Sequence, residues 1–199
     1  MRIISGLAKG RRLHTPLLQQ QKQLEIRPTS DRAREALFSI LGDRVTGAVV
    51  LDLFAGCGAL GLEALSRGAK TVVLVEKNTP ALELIKQNVL TVLHNISRGQ
   101  QAGEIRLLQQ DLRQPLQLEE LPEEMRRFDI IFADPPYDTG LSSHILGEIA
   151  ARNILTKHGI LVIEERHDTP LPAAVMQLAR TEMRKYGEAA FHFYRTIPQ

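Results

Sequence analysis

Residues 48–61 read AVVLDLFAGCGALG: a short apolar run that closes on Asp52 and Leu53, then a loop carrying Gly56, Gly58 and Gly61. The run reads as a β-strand, and the pattern that follows, at about 59–67, reads as a helix. Strand, glycine loop and helix in that order open an α/β sheet, in which ligands settle beyond the carboxyl ends of the strands. The three glycines match GxGxxG, and Glu76 lies twenty residues beyond Gly56. Taken alone, that combination fits a nicotinamide dinucleotide, with glycines for tight turns and a carboxylate for a ribose diol.

Outward from this stretch the alternation continues. TVVLVEK (71–77), EIRLLQQD (104–111), FDIIFAD (128–134) and GILVIEE (159–165) bring the strands to five, with further helical patterns at about 80–93 and 142–153. Short apolar strands alternating with helices predict an α/β fold: a Rossmann-like, mostly parallel sheet with helices on both faces. The tail departs from the pattern. A helical stretch is expected near 172–180, and EMRKYGEAAFHFYRTI then places a Gly between two strand-like pieces, an antiparallel hairpin joined to the sheet. Upstream, MRII (1–4) and RRLH (11–14) flank SGLAKG and predict a small hairpin, and 15–26 reads as a Gln-rich loop. DRAREALFSIL (31–41) predicts a helix capped by Thr29 or Ser30, with Pro28 holding Arg27 extended. The polar segment 94–103 reads as a loop. Two units are expected: a basic extension over 1–26 and one α/β domain over 27–199.

The net charge of +2 hides an asymmetry. Residues 1–34 hold eight Lys or Arg against two Asp or Glu, a local charge of +6, and the remaining chain carries −4. A basic arm ahead of a mildly acidic body points to a polyanion contact at one end. The one cysteine, Cys57, excludes an intramolecular disulfide framework. No Cys or His spacing suits a metal. The opening lacks the apolar run of a signal peptide, and no run of 18 apolar residues occurs. A soluble cytoplasmic protein away from membranes is expected.

Two further features decide between ligands. Asp52 stands at the mouth of the glycine loop, where a dinucleotide needs room for its pyrophosphate. A carboxylate there repels phosphates and attracts the ammonium and sulfonium groups of S-adenosylmethionine. Glu76, at the end of the second strand, suits a ribose diol, and Asp111, at the end of the third, suits an adenine amino group. The second feature is Asp134-Pro135-Pro136-Tyr137 at the end of the fourth strand. Two prolines cannot continue a strand, and they stiffen the turn. The Asp134 carboxylate and the Pro135 carbonyl can hold the two hydrogens of an exocyclic amine, and Tyr137 offers a face for a nucleobase. Such an arrangement localises the amine lone pair for methyl transfer. These residues serve guanine or adenine equally. An N6-adenine methyltransferase of DNA or RNA, an NAD-dependent oxidoreductase and a non-catalytic RNA-binding assembly factor therefore stand as alternatives.

With MRIISGLAKGRRL at the start, RPTSDRAREALFSIL at 27–41, DLFAGCGALGLEALSRGA at 52–69, VEK at 75–77 and DPPYDTG at 134–140, the chain resembles the RsmD-type 16S ribosomal RNA guanine-N2 methyltransferases. These are class I S-adenosylmethionine-dependent enzymes. The resemblance spans nearly the whole chain, and the RPTSDRARE block separates this family from generic class I enzymes. It implies a class I methyltransferase fold. It further implies N2-methylation of guanine 966 of 16S rRNA in the 30S subunit or an assembly intermediate, by a monomer. It implies that Gly56 and Gly58 hold the methionine part of the cofactor, with Phe54, Ala55, Lys77 and Leu112 beside Asp52, Glu76 and Asp111 in the same site. Arg11, Arg12, Arg27, Arg32 and Arg34 are the RNA-docking candidates, with Arg27 and Arg34 partly serving packing or support.

Overall fold

The computed structural model describes residues 1–15, 31–96 and 103–197. In chain order these hold α1 (Asp31–Leu41), β1 (Val49–Leu53), α2 (Ala59–Ser66), β2 (Thr71–Glu76), α3 (Thr79–Ile96), β3 (Glu104–Gln109), β4 (Phe128–Ala133), α4 (Leu141–Arg152), β5 (Leu155–Arg166), β6 (Ala174–Val175), β7 (Leu178–Tyr186) and β8 (Ala189–Thr196). The strands form one sheet in the order β3-β2-β1-β4-β5-β8-β7-β6. The first five run parallel, and β8, β7 and β6 continue the sheet antiparallel. This is the Rossmann-like sheet of class I methyltransferases, with helices on both faces.

Residue alternation along the strands supplies two cores. Val50, Val72, Leu74, Ile130, Phe132 and Val162 pack with apolar residues of α1, α2 and α3. Leu51, Leu53, Val73, Val75, Ile131, Ala133 and Ile163 pack with α4 and with Leu112, Leu116, Leu118, Leu121 and Met125 of the β3–β4 connection. All six residues of β2 are buried, as a strand covered on both faces requires. The strand order reverses at β1, whose neighbours are β2 and β4. The carboxyl ends of β1 and β4 therefore flank the crevice of the switch point.

The helix expected near 172–180 is absent. Val175 pairs with Leu178 across a tight turn in which Met176 adopts φ +50°, and Leu178 pairs onward with Thr196. Leu171 and Leu178 are buried, and their helix-like spacing arises from two extended pieces joined by that turn. α3 runs on through Ile96, past the expected loop start at 94. The proposed caps Thr29 and Ser30, most of the Gln-rich loop and the boundary at 26/27 lie outside the described residues.

The basic arm is fastened to the domain. Arg2 bridges Arg12 in antiparallel fashion, and Ile3, Ala8 and Leu13 join the core of α1 and α2. Glu63, fully buried in α2, accepts from the backbone N–H of Ile4 at 2.7 Å and of Ser5 at 3.0 Å, and from Arg67 Nε at 2.7 Å. Ser66 Oγ accepts from Ala8 N and donates to Ser5 O. Gly6, at φ +80°, lies so close that an added Cβ would fall 1.9 Å from Ser66 O. Removing one partner of a buried ion pair typically destabilises by about 3–5 kcal/mol. Glu63→Ala should therefore lower unfolding free energy by about 3 kcal/mol in urea titration and expose the arm to proteolysis. A loss under about 1 kcal/mol would show that the arm is held elsewhere.

Candidate active site

β1 ends in a loop whose backbone turns repeatedly through the left-handed region. Phe54 and Gly56 take φ near +60°, and Gly58, at φ +81°, caps the start of α2. At Gly61 an added Cβ would lie 2.5 Å from Leu74 Cδ2 and 2.9 Å from Val72 Cγ1, so the glycine lets α2 press onto β2. Asp52, 2% exposed, accepts from the Gly61 N–H through Oδ2 at 2.8 Å. Burial and the nearby Glu76 push the Asp52 carboxyl up to about 7, and the single amide only partly opposes them.

Glu76 is held by three backbone donors: Gly56 N at 2.9 Å on Oε2, and Lys77 N at 2.9 Å and Asn78 N at 2.8 Å on Oε1. A carboxylate offers about four acceptor positions, so about one remains for a ribose hydroxyl. Asp111 forms an ion pair with Arg113, whose guanidinium pulls its carboxyl down to about 2. An incoming amine would share that carboxylate with Arg113, a partner that sequence reasoning missed.

These groups converge. One cleft of about 960 Å³, measured with its open mouth, is lined by Asp52, Phe54, Ala55, Gly56, Glu76, Lys77, Asp111, Leu112, Asp134, Pro135, Pro136 and Tyr137. Gly58 is the exception. It sits behind the wall, where it turns the chain into α2 and donates to Ala55 O. Met1, Asn78, Gln110 and Arg113 also line the cleft and carried no readable sequence signal. Cys57 is buried, with its sulfur 3.8 Å from Met1 Sδ, and burial pushes its thiol up, against use as a nucleophile.

At the end of β4 the turn is braced from two sides. Thr139 Oγ1 donates to Pro136 O at 2.6 Å, and the Tyr137 hydroxyl donates to Glu164 Oε1 at 3.3 Å. Pro135 is buried, and Asp134, Pro136 and Tyr137 are half-buried. Glu164 was also missed. A charged residue at the end of an apolar strand, beside the Asp-Pro-Pro-Tyr strand, is the signal that could have found it. Among the described residues no group of three or more His, Cys, Asp or Glu is placed to hold a metal ion.

The arginines divide. Arg11, Arg12 and Arg32 are exposed, and Arg27 lies outside the described residues. Arg34 is fully buried, and its Nη2 donates to Arg2 O at 2.6 Å and to Asp31 Oδ1 at 2.9 Å. It braces the arm against α1 and cannot reach a phosphate from there, which corrects its place among the RNA contacts. No described helix is long and apolar enough to cross a membrane.

The chain has relatives among known proteins. Residues 1–195 match the family described as Conserved hypothetical protein 95. The chain is 33% identical to the ribosomal RNA small subunit methyltransferase D of Haemophilus influenzae over 86% of its length and 81% of the relative's. It is 30% identical to the protein of that name in Escherichia coli K12 over its whole length and 91% of the relative's. A solved structure of a hypothetical protein from Thermus thermophilus superposes with a TM-score of 0.77 at 32% identity, covering 98% of this chain and 99% of that one.

The raised Asp52 carboxyl sets a pH dependence. A cationic ligand favours the ionised form, which predominates above about 7 and is lost as pH falls through that value. Affinity for S-adenosylmethionine should therefore fall roughly tenfold from pH 8 to pH 6 in calorimetric titration, and Asp52→Asn should flatten the profile. A wild-type profile as flat as that of the variant would remove Asp52 from cofactor recognition.

Proposed function

The chain belongs to the Conserved hypothetical protein 95 family, and from that premise we propose that it methylates the exocyclic N2 of a guanine in small-subunit ribosomal RNA. The proposed cofactor is S-adenosylmethionine, and the proposed target is guanine 966 of 16S rRNA in the 30S subunit or an assembly intermediate. The observation that carries the reading is the Asp-Pro-Pro-Tyr turn placed in the same cleft as the acid-lined glycine loop. The names of the curated relatives support ribosomal RNA as the substrate class.

The residues fit this cofactor better than a dinucleotide. In dinucleotide sites the N-terminal amides of the helix receive the pyrophosphate. Here the Gly61 amide is already occupied by Asp52, and two buried carboxylates face the cleft. Both features oppose phosphate and suit a cationic nucleoside. Asp52 and Glu76 would hold the methionine and ribose parts, and Asp111 the adenine. The bound cofactor supplies a methyl group on a positively charged sulfur.

The chain's own residues prepare the acceptor. An aryl amine is a poor nucleophile because its lone pair is delocalised into the ring. Asp134 and the Pro135 carbonyl accept the two amine hydrogens, which favours a pyramidal nitrogen and frees the pair. Methylation makes the nitrogen acidic, so Asp134 can receive the departing proton without being a strong base beforehand. Tyr137 stacks on the base, its hydroxyl anchored to Glu164. Extrusion of a base costs a few kcal/mol, which favours an unpaired loop guanine.

Asp134→Ala should reduce the single-turnover rate on small-subunit particles roughly a hundredfold or more. Cofactor Kd should stay within about threefold, since the lost contact acts mainly in the transition state. Nucleoside analysis of the product should give N2-methylguanine. Recovery of N6-methyladenine would overturn the substrate, and near-wild-type turnover by the variant would overturn the mechanism.

RNA docking is proposed for the exposed part of the arm. Reversing Arg11 and Arg12 to Glu should weaken RNA binding and lower the salt slope by about one unit per lost phosphate contact. An unchanged slope would place the docking surface elsewhere.

A further inference from the structure

Glu164 enters the reading above only as the anchor of Tyr137; it is not itself among the residues that line the cleft, but it holds one that is. It is 7% exposed near the end of β5, directly after the apolar run 160–163, and it receives the Tyr137 hydroxyl at 3.3 Å. β4 and β5 are parallel, and their ladder ends on Ala133↔Ile163. The next residues on each strand, Asp134 and Glu164, therefore stand side by side at the carboxyl ends, with neighbouring strands about 4.8 Å apart. Phe132 and Val162, two positions earlier, both belong to the core that faces α1 to α3. By strand alternation Glu164 points to that face, and Asp134 follows directly on the last paired residue of β4 beside it. Glu165 takes the opposite face, where Ser142 Oγ donates to it at 2.6 Å. One of two adjacent buried glutamates is thus consumed in packing, and the other accepts from Tyr137, which lines the cleft.

The acceptor site needs such a group. Asp134 and the Pro135 carbonyl can hold any exocyclic amine, so they do not tell guanine from adenine. The ring atom beside the amine does. Guanine carries a donor there, N1–H, whereas adenine carries an N1 lone pair. An ionised carboxylate only accepts. Placed next to the amine acceptor, it attracts the first pattern and repels the second. Discrimination built on a buried polar partner is far steeper than discrimination by shape.

We propose that Glu164 accepts the N1–H of the acceptor base and so selects guanine over adenine. The proposal rests on the methyl-transfer reading above. The bond from Tyr137 fixes the carboxylate and the stacking ring in one arrangement, so base stacking and edge reading are set together.

The test uses small-subunit particles reconstituted from RNA with either guanine or 2-aminopurine at the methylated position. 2-Aminopurine keeps the reacting amine but presents a lone pair at N1. The wild-type enzyme should lose roughly tenfold or more in single-turnover kcat/KM on the analogue. Glu164→Gln should slow guanine methylation and shrink the ratio between the two substrates several-fold, because an amide can donate to the analogue's N1. If Glu164 merely supported Tyr137, both substrates would slow alike, and an unchanged ratio would overturn the proposal. Should the variant not fold, as judged by loss of cofactor binding, the wild-type ratio decides alone: equal rates on the two substrates overturn it. A wild-type product without N2-methylguanine is a different failure, since it removes the methyl-transfer reading itself and this proposal with it.

Discussion

The carboxylate of Asp52 and the amide of Gly61 meet at the junction of β1 and α2, nearly out of reach of water. A helix start presents unsatisfied N–H groups and a partial positive charge. In many glycine-loop folds that charge is left for a phosphate. Here the protein's own carboxylate takes it, and the consequences spread along the cleft. The Gly61 amide is occupied, so it is not offered to an anion. Because one amide cannot offset burial, Asp52 holds its proton up to neutral pH, and a cationic ligand would drive that proton off. The absence of a side chain at Gly61 keeps α2 close enough for the bond to form.

The arm and the cleft are mechanically one object. Asn88 of α3 accepts from the His14 N–H at 2.7 Å, and its amide donates to His14 O and to Cys57 O, both at 2.9 Å. One buried side chain thus joins the end of the hairpin to the glycine loop. Glu63 and Arg34 fasten the hairpin's other parts to α2 and α1. Met1 itself lines the cleft. An arm attached this way carries little freedom of its own, so the RNA contacts proposed for Arg11 and Arg12 would be registered directly against the Asp-Pro-Pro-Tyr turn.

The sequence made the parallel half of the sheet and most of the cleft readable, because each depends on local pattern. Apolar strands, the glycine loop, Asp52, Glu76 and the Asp-Pro-Pro-Tyr turn are all short-range signals. What escaped depends on tertiary placement. Arg34, read as an RNA contact that partly serves packing, is buried beneath Arg2, so the packing part alone describes it. Gly58, read as a cofactor contact, also caps the start of α2, a role its motif does not announce. Leu171, Val175 and Leu178 mimic a helical stripe, and only the positive φ of Met176 reveals two strands. Glu63 and Asn88 act on residues more than fifty positions away, a distance that no periodicity encodes.

The antiparallel extension explains why a carboxylate beside the Asp-Pro-Pro-Tyr turn can be buried. In a sheet that stopped at β5, that strand would be an edge, and the end of it would lie open to water. β8 pairs with β5 from Leu161 to Arg166, and β7 covers β8 in turn. Glu164 consequently faces Phe191 across the ladder and is shielded on its outer side. A carboxylate in water is screened and exchanges partners freely, whereas one walled in by β4 and β8 keeps a fixed direction and a strong field. The hairpin that reads as an appendage in the sequence is therefore what converts the end of β5 from a solvated rim into a buried support for Tyr137.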